Sequence, residues 1–198
     1  VQRRQALQRL KDDPNTAPRF THIVPTLYAD YRLGILLSPW IDGEPIHQLT
    51  PPLIAQLFTT LEACEEQGLM EWDLCPGNII DDSGFVWLFD FGYMYQFDPL
   101  CEFNSNGLTD PLFHACERFE TRNFFGWLLR NPQQLDQEQQ LALYRELKEV
   151  ALSLYQQKRS HLSAKGAHQV VLDWLDNQIS RWQQALASSQ ALALLFAM

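Results

Sequence analysis

Apolar residues recur along this chain in two rhythms, and the change of rhythm divides it. From Thr50 to Glu66, Ile54, Leu57, Phe58, Leu61 and Cys64 fall three or four positions apart. That spacing predicts a helix with one buried face. Thr50 is placed to cap it, Pro51 and Pro52 suit its first turn, and Gly68 supplies the stop. The rhythm returns between residues 136 and 161 through Leu141, Tyr144, Leu147, Ala151 and Leu154. It returns again between 168 and 195 through Val171, Trp174, Leu175, Ile179, Trp182 and Leu186. Each predicts one amphipathic helix, with an aromatic-rich helical segment at Asn123 to Leu129 before them. Gln133, Gln134, Gln137, Gln139 and Gln140 read as solvated surface. Residues 1–13, with Leu7 and Leu10 three apart, predict a further helix that Pro14 ends.

Elsewhere the apolar residues come in short β-prone runs. Phe20, Ile23, Val24, Leu27 and Tyr28 predict one strand, and Leu33 to Leu37 predict another. The expected turn between them covers Ala29 to Arg32. Ile79-Ile80 and Phe85 to Phe89 flank the polar run Asp81-Asp82-Ser83-Gly84, which predicts a β-hairpin. Residues 93–122, rich in Asn, Gly, Pro and aromatics, predict a long ordered loop. Strands early and helices late make the expected class α+β, and mainly helical.

The hairpin has a chemical consequence. It carries its two ends back to one edge, so Asn78 before it and Asp90 after it are expected to converge, with Asp73 on the entering loop. Asp and Asn are also ordinary turn residues. Two carboxylates and an amide oxygen at one edge, however, are hard oxygen donors that suit Mg²⁺ and a phosphoryl group.

Composition narrows the partners. A net charge of −9, with four lysines and none clustered, argues against a nucleic-acid backbone as the main partner. The 46% hydrophobic content, with 12 Phe and 6 Trp, excludes a disordered chain. Cys64, Cys75, Cys101 and Cys116 have no metal-ligand spacing and read as reduced thiols, so a cytoplasmic protein is expected. His22, His47, His161 and His168 show no partner spacing and read as structural. The apolar run at residues 191–197 is too short for a membrane span, and no signal peptide is expected at the start.

Asp73-Leu74, Pro76-Gly77-Asn78-Ile79 and Asp90-Phe91-Gly92 together resemble the core of the protein-kinase-like superfamily. That core reads D-x-x-x-x-N before a hairpin ending in D-F-G. The local match is closest to the aminoglycoside and choline kinase-like branch, whose loop reads H-x-D-L-H-P-G-N-I-L. Glu71 and Cys75 depart from that pattern, each standing where the branch has a histidine or basic residue. The resemblance implies that Asp73 orients the acceptor hydroxyl and takes its proton, and that Asn78 and Asp90 hold Mg²⁺ beside ATP. Ser38-Pro39-Trp40-Ile41-Asp42-Gly43-Glu44 resembles the family's hinge, which implies adenine binding by the backbone at Ser38, Trp40 and Ile41.

The implied organisation is a small-lobe remnant with a partial sheet over residues 1–38, a hinge over 39–44 and a helical large lobe over 45–198. No G-x-G-x-x-G occurs, no Glu precedes Glu44, and Lys11 lies on a helix. The chain is therefore expected to be a fragment of a longer kinase or one with a degenerate small lobe, and to bind nucleotide weakly by itself. Asp110-Pro111-Leu112-Phe113 resembles the D-P-L-x-D stretch of the small-molecule kinases, with His114 at its last position; Ala115-Cys116-Glu117 resembles the A-P-E of protein kinases. The acceptor is thus a small-molecule or a protein hydroxyl. A catalytically inactive pseudokinase that serves as a binding module is the alternative.

Overall fold

In the computed structural model, which describes residues 1–130 and 135–197, the chain is α+β and mainly helical. The expected surface positions Gln133 and Gln134 lie outside the described residues. The first helix, α1 (Gln2–Asp12), buries Leu7 and, unexpectedly, Arg4. A 3₁₀ turn at Ala17–Phe20 follows, and then the first of three small antiparallel sheets: β1 (Tyr28–Asp30) paired with β2 (Ile35–Leu37).

The strand expected from Phe20 to Tyr28 is mostly absent. Ile23 makes only an isolated bridge to Leu88, and regular pairing waits until Tyr28. Pro25 explains the delay, because it has no N–H to give to a ladder. The turn also falls later than expected. Asp30 still pairs with Ile35, and its carboxylate accepts the N–H groups of Arg32 and Leu33 to close the loop.

The second sheet holds the expected hairpin. β3 (Glu44–Pro45) pairs with β5 (Ile79–Asp82), which pairs with β6 (Phe85–Leu88). Gly43 is needed here, since a Cβ on it would come within 2.5 Å of the Ile80 side chain and 2.7 Å of the Asp81 carbonyl. Between β3 and β5 run α2 (Pro51–Glu66) and β4 (Leu69–Glu71). Thr50 takes the N-cap place without a side-chain cap bond. Two prolines in the first turn leave fewer N–H groups for it to satisfy.

The third sheet is β4 paired with β7 (Met94–Gln96). This strand and α3 (Ala115–Phe119) interrupt what the sequence suggests is one loop over 93–122. Three residues are too few to declare a strand by alternation, and His114 is an unusual N-cap.

After α3 the helix widens into a π turn at Glu120–Phe124 and continues as α4 (Phe125–Arg130). Then comes α5 (Gln137–Ala164), opened by a capping box between Asp136 and Gln139. The single helix expected from 168 to 195 is two, α6 (Gln169–Leu186) and α7 (Ser189–Phe196). Ser188 accepts the Ala191 N–H at 3.1 Å and restarts the helix. The break turns α7 back onto α5 and α6, where Leu192 is fully buried and Phe196 packs on Tyr144 and Phe125.

One apolar core runs from Leu7 and Phe20 through α2 and the hairpin to α5, α6 and Leu192. Two buried ion pairs cross it. Lys158 on α5 meets Glu65 on α2 at 2.6 Å, and Lys148 on α5 meets Glu120 in the π turn. All four cysteines are free. Cys64 and Cys116 are buried, and burial pushes both thiols up, whereas Cys75 and Cys101 are partly exposed. No described helix is long and apolar enough to cross a membrane.

Leu147 is completely buried at the middle of α5. Leu147→Ala is expected to lower the unfolding free energy by about 2–5 kcal/mol, read from a shift in the urea midpoint at constant slope.

Candidate functional site

The loop from Trp72 to Asn78 leaves β4 with its backbone tied on every side. Gly68 starts the approach with φ +71°, where an added Cβ would lie 2.6 Å from the Phe97 carbonyl. The Trp72 N–H reaches the Tyr93 carbonyl, and its indole N–H donates to the Ser105 hydroxyl at 2.8 Å. Arg118 Nε donates to the Trp72 carbonyl at 3.0 Å, and the Asn123 amide donates to the Leu74 carbonyl at 3.2 Å. The Asp73 N–H donates to Glu71 Oε1 at 2.7 Å, and the Asn78 N–H to the Cys75 carbonyl at 3.0 Å. A loop held this way presents its side chains from a fixed base.

Asp73 and Asn78 are together. The Asn78 amide donates to the Asp73 carbonyl at 2.8 Å and to Asp73 Oδ2 at 3.3 Å. The other carboxylate oxygen, Oδ1, accepts from Arg122 twice, from Nε at 3.1 Å and from Nη2 at 2.7 Å. Arg122 and Asn123 sit side by side in the π turn, so one widened turn delivers both to the loop. The Arg122 and Asp73 side chains are 47% and 20% exposed. An ion pair so open to water is worth about 0.2–1 kcal/mol, little enough for a ligand to displace.

Asp90 keeps other partners. Its Oδ1 accepts the Gly92 N–H at 2.9 Å, and it lines a cavity of about 760 Å³ with Ser38, Trp40 and Ile41. Ser38, Trp40, Ile41 and Asp90 thus share a cavity, in a size range ordinary for small-molecule sites. The recorded contacts keep Asn78 with Asp73 and Asp90 with Gly92. Among the described residues, no cluster of three or more His, Cys, Asp or Glu could hold a metal ion.

Two further residues bear on the site, and sequence reasoning gave neither a role in it. Arg4 reaches from α1 into the cavity wall, where it donates to the carbonyls of Phe89, Val24 and Pro25 and to the hydroxyls of Thr26 and Ser38. Burial pulls its guanidinium below the usual arginine range, and Asp90 pushes it back up. Glu71, noted in the sequence only as a departure from a motif, is buried in β4 with Oε2 lacking a hydrogen-bond partner. Burial raises its carboxyl to about 7, the Asp73 and Trp72 amides pull it down, and the charges of Asp73 and Asp90 add to the rise. Both aspartates therefore bear on one buried carboxyl.

The family models, the curated proteins and the solved structures offer no match to this chain.

The raised Glu71 carboxyl has a thermodynamic consequence. Folding holds it protonated where the unfolded chain would ionise it, so its stabilising effect is complete below about 4.5 and is lost as pH rises through about 7. Glu62, also raised to about 7 by burial, acts in the same direction. Glu71→Gln keeps the shape without the ionisation. Its stability relative to the native chain should therefore improve steadily between about pH 5 and pH 8 in urea titrations. A difference that does not change with pH would rule out this account of Glu71.

Proposed function

We propose that this chain carries the nucleotide and acceptor sites of an ATP- and Mg²⁺-dependent phosphotransferase of the protein-kinase-like kind, acting on a hydroxyl group. The observation that carries the reading is the shared cavity: Ser38, Trp40 and Ile41 line it together with Asp90, in a fold where Asp73 and Asn78 sit on one tethered loop. The adenine would lie along the Ser38–Ile41 segment, with its phosphates towards Asp90.

Asp90 is exposed and brings a carboxylate, the donor Mg²⁺ prefers, and the Asn78 amide oxygen is a hard neutral donor, so these two would hold the metal. The ion, when bound, screens the phosphate charge. Asp73 orients the acceptor hydroxyl. The hydroxyl oxygen bonds to the γ-phosphorus, the bond to the bridging β–γ oxygen breaks, ADP leaves with that electron pair, and the hydroxyl proton passes to the Asp73 carboxylate. Glu71 and the Trp72–Asn78 tethers hold Asp73 in register for this step.

One observation favours the second reading, an inactive kinase-like binding module. Both Asp73 oxygens are already engaged, one by Arg122 and one by Asn78, which is how an idle carboxylate would be kept.

Calorimetry with ATP in the presence and absence of Mg²⁺ tests the metal assignment. Asp90→Asn is expected to weaken Mg²⁺-dependent ATP binding at least about ten-fold, or about 1.4 kcal/mol, because an amide has no charge to hold the ion. Asp73→Asn should leave that affinity within about two-fold while removing phosphoryl transfer. Equal ATP affinity in the native chain and Asp90→Asn would reject the assignment. Intact Asp90-dependent binding without turnover would select the inactive reading.

A further inference from the structure

Arg122 is set up differently from the other arginines near the site. Arg4 is buried and its donors are spent on five acceptors, and Arg118 is fixed on the Trp72 carbonyl and over the Phe113 ring. The backbone under Arg122 is equally fixed. Its neighbour Asn123 is buried on the Leu74 carbonyl, and Glu120 in the same π turn is buried against Lys148. Its own side chain is half in water. The guanidinium can therefore move while its anchor cannot.

Its bond to Asp73 is also an incomplete one. Both donating groups, Nε and Nη2, converge on the single oxygen Oδ1, while Oδ2 belongs to Asn78. The two-oxygen fork in which guanidinium and carboxylate or phosphate fit best is not formed. A ligand anion could form it. The setting makes such a cation conspicuous: the chain carries a net charge of −9, and the charge facing Arg122 is the Asp73 carboxylate. Tyr93 and Cys75 add no positive charge beside Arg122.

We propose that Arg122 selects the acceptor, a hydroxyl compound bearing a carboxylate or phosphate group, and that the arriving anion draws the guanidinium away from Asp73 Oδ1. Without such an acceptor, Arg122 neutralises Asp73. With it, the freed oxygen faces the hydroxyl that the same molecule brings. The inference rests on the phosphotransferase reading for what Asp73 does next, but the anion preference is measurable without nucleotide.

The test uses matched probes, gluconate against glucose and glycerol 3-phosphate against glycerol. Binding is followed by calorimetry and by the Nε–H signals of ¹⁵N-labelled arginine. The native chain should bind at least one anionic probe about ten-fold or more tightly than its neutral twin, and one arginine signal, absent from Arg122→Gln, should shift. Arg122→Gln should lose the preference, and Arg122→Lys, which keeps the charge but not the fork, should recover only part of it. Asp73→Asn should bind the anion more tightly than the native chain, because the competing carboxylate is gone; a purely structural Arg122 would not show this. Thermal melts confirm that each variant is folded. No preference in the native chain, or the same preference in Arg122→Gln, overturns the inference. An anion preference that depends on Arg122, in a chain that binds no ATP with or without Mg²⁺, would instead sink the phosphotransferase reading and with it the acceptor role proposed for Arg122.

Discussion

A guanidinium removed from water must find acceptors for its N–H groups, and Arg4 meets that demand by drawing four stretches of chain together. Its acceptors are carbonyls at Val24, Pro25 and Phe89 and hydroxyls at Thr26 and Ser38. The first helix, the segment before β1, the connector after β2 and the residue before Asp90 are thereby fixed to one point. The cavity wall exists because these pieces cannot separate without stranding a buried charge. Asp90 stands close enough to support that charge, so the same acid group is tied electrostatically to the wall and exposed to whatever enters.

The other half of the site follows the opposite plan. There the backbone is bound and the side chains are left available. Trp72, Asp73, Leu74 and Asn78 lose their main-chain freedom to partners as distant as Tyr93, Arg118 and Asn123. The carboxylate of Asp73 stays partly open and the guanidinium of Arg122 more so. The entropic cost of ordering is thus met by the fold rather than by a ligand. Glu71 ties the two plans together, since its buried carboxyl feels Asp73 and Asp90 at once.

How much of this was legible in the sequence depended on the range of the forces involved. The hairpin could be read because Asp81 to Gly84 make a turn from local chemistry, and α5 because Leu141, Tyr144, Leu147, Ala151 and Leu154 keep helical spacing. The α6 stripe was visible too, but it concealed the restart at Ser188, whose cap is a single hydroxyl in a run that is otherwise good helix. Pro25 outweighed the β-prone residues on either side of it, and β7 was too short to show a period. Long-range polar contacts left no trace. Nothing near Arg4 in the sequence names Phe89, 85 positions away, and nothing near Arg122 names Asp73, 49 positions away. Asp73, Asn78 and Asp90 stood out as candidates from their order alone; the partners each one keeps, Asn78 on Asp73 and Asp90 on Gly92, came only from the packing.

The distribution of the cysteines makes the chain its own gauge of opening. Cys64 and Cys116 lie in the core, whereas Cys101 is at the surface and Cys75 lies on the loop between Asp73 and Asn78. Reaction with a maleimide or an iodoacetamide dye therefore sorts the four thiols by the motion each requires. Two should react with the folded chain, one of them from within the loop itself, and two only when the helices part. A mass spectrum taken at intervals would separate a local event at the loop from unfolding of the whole molecule, with no residue added or removed.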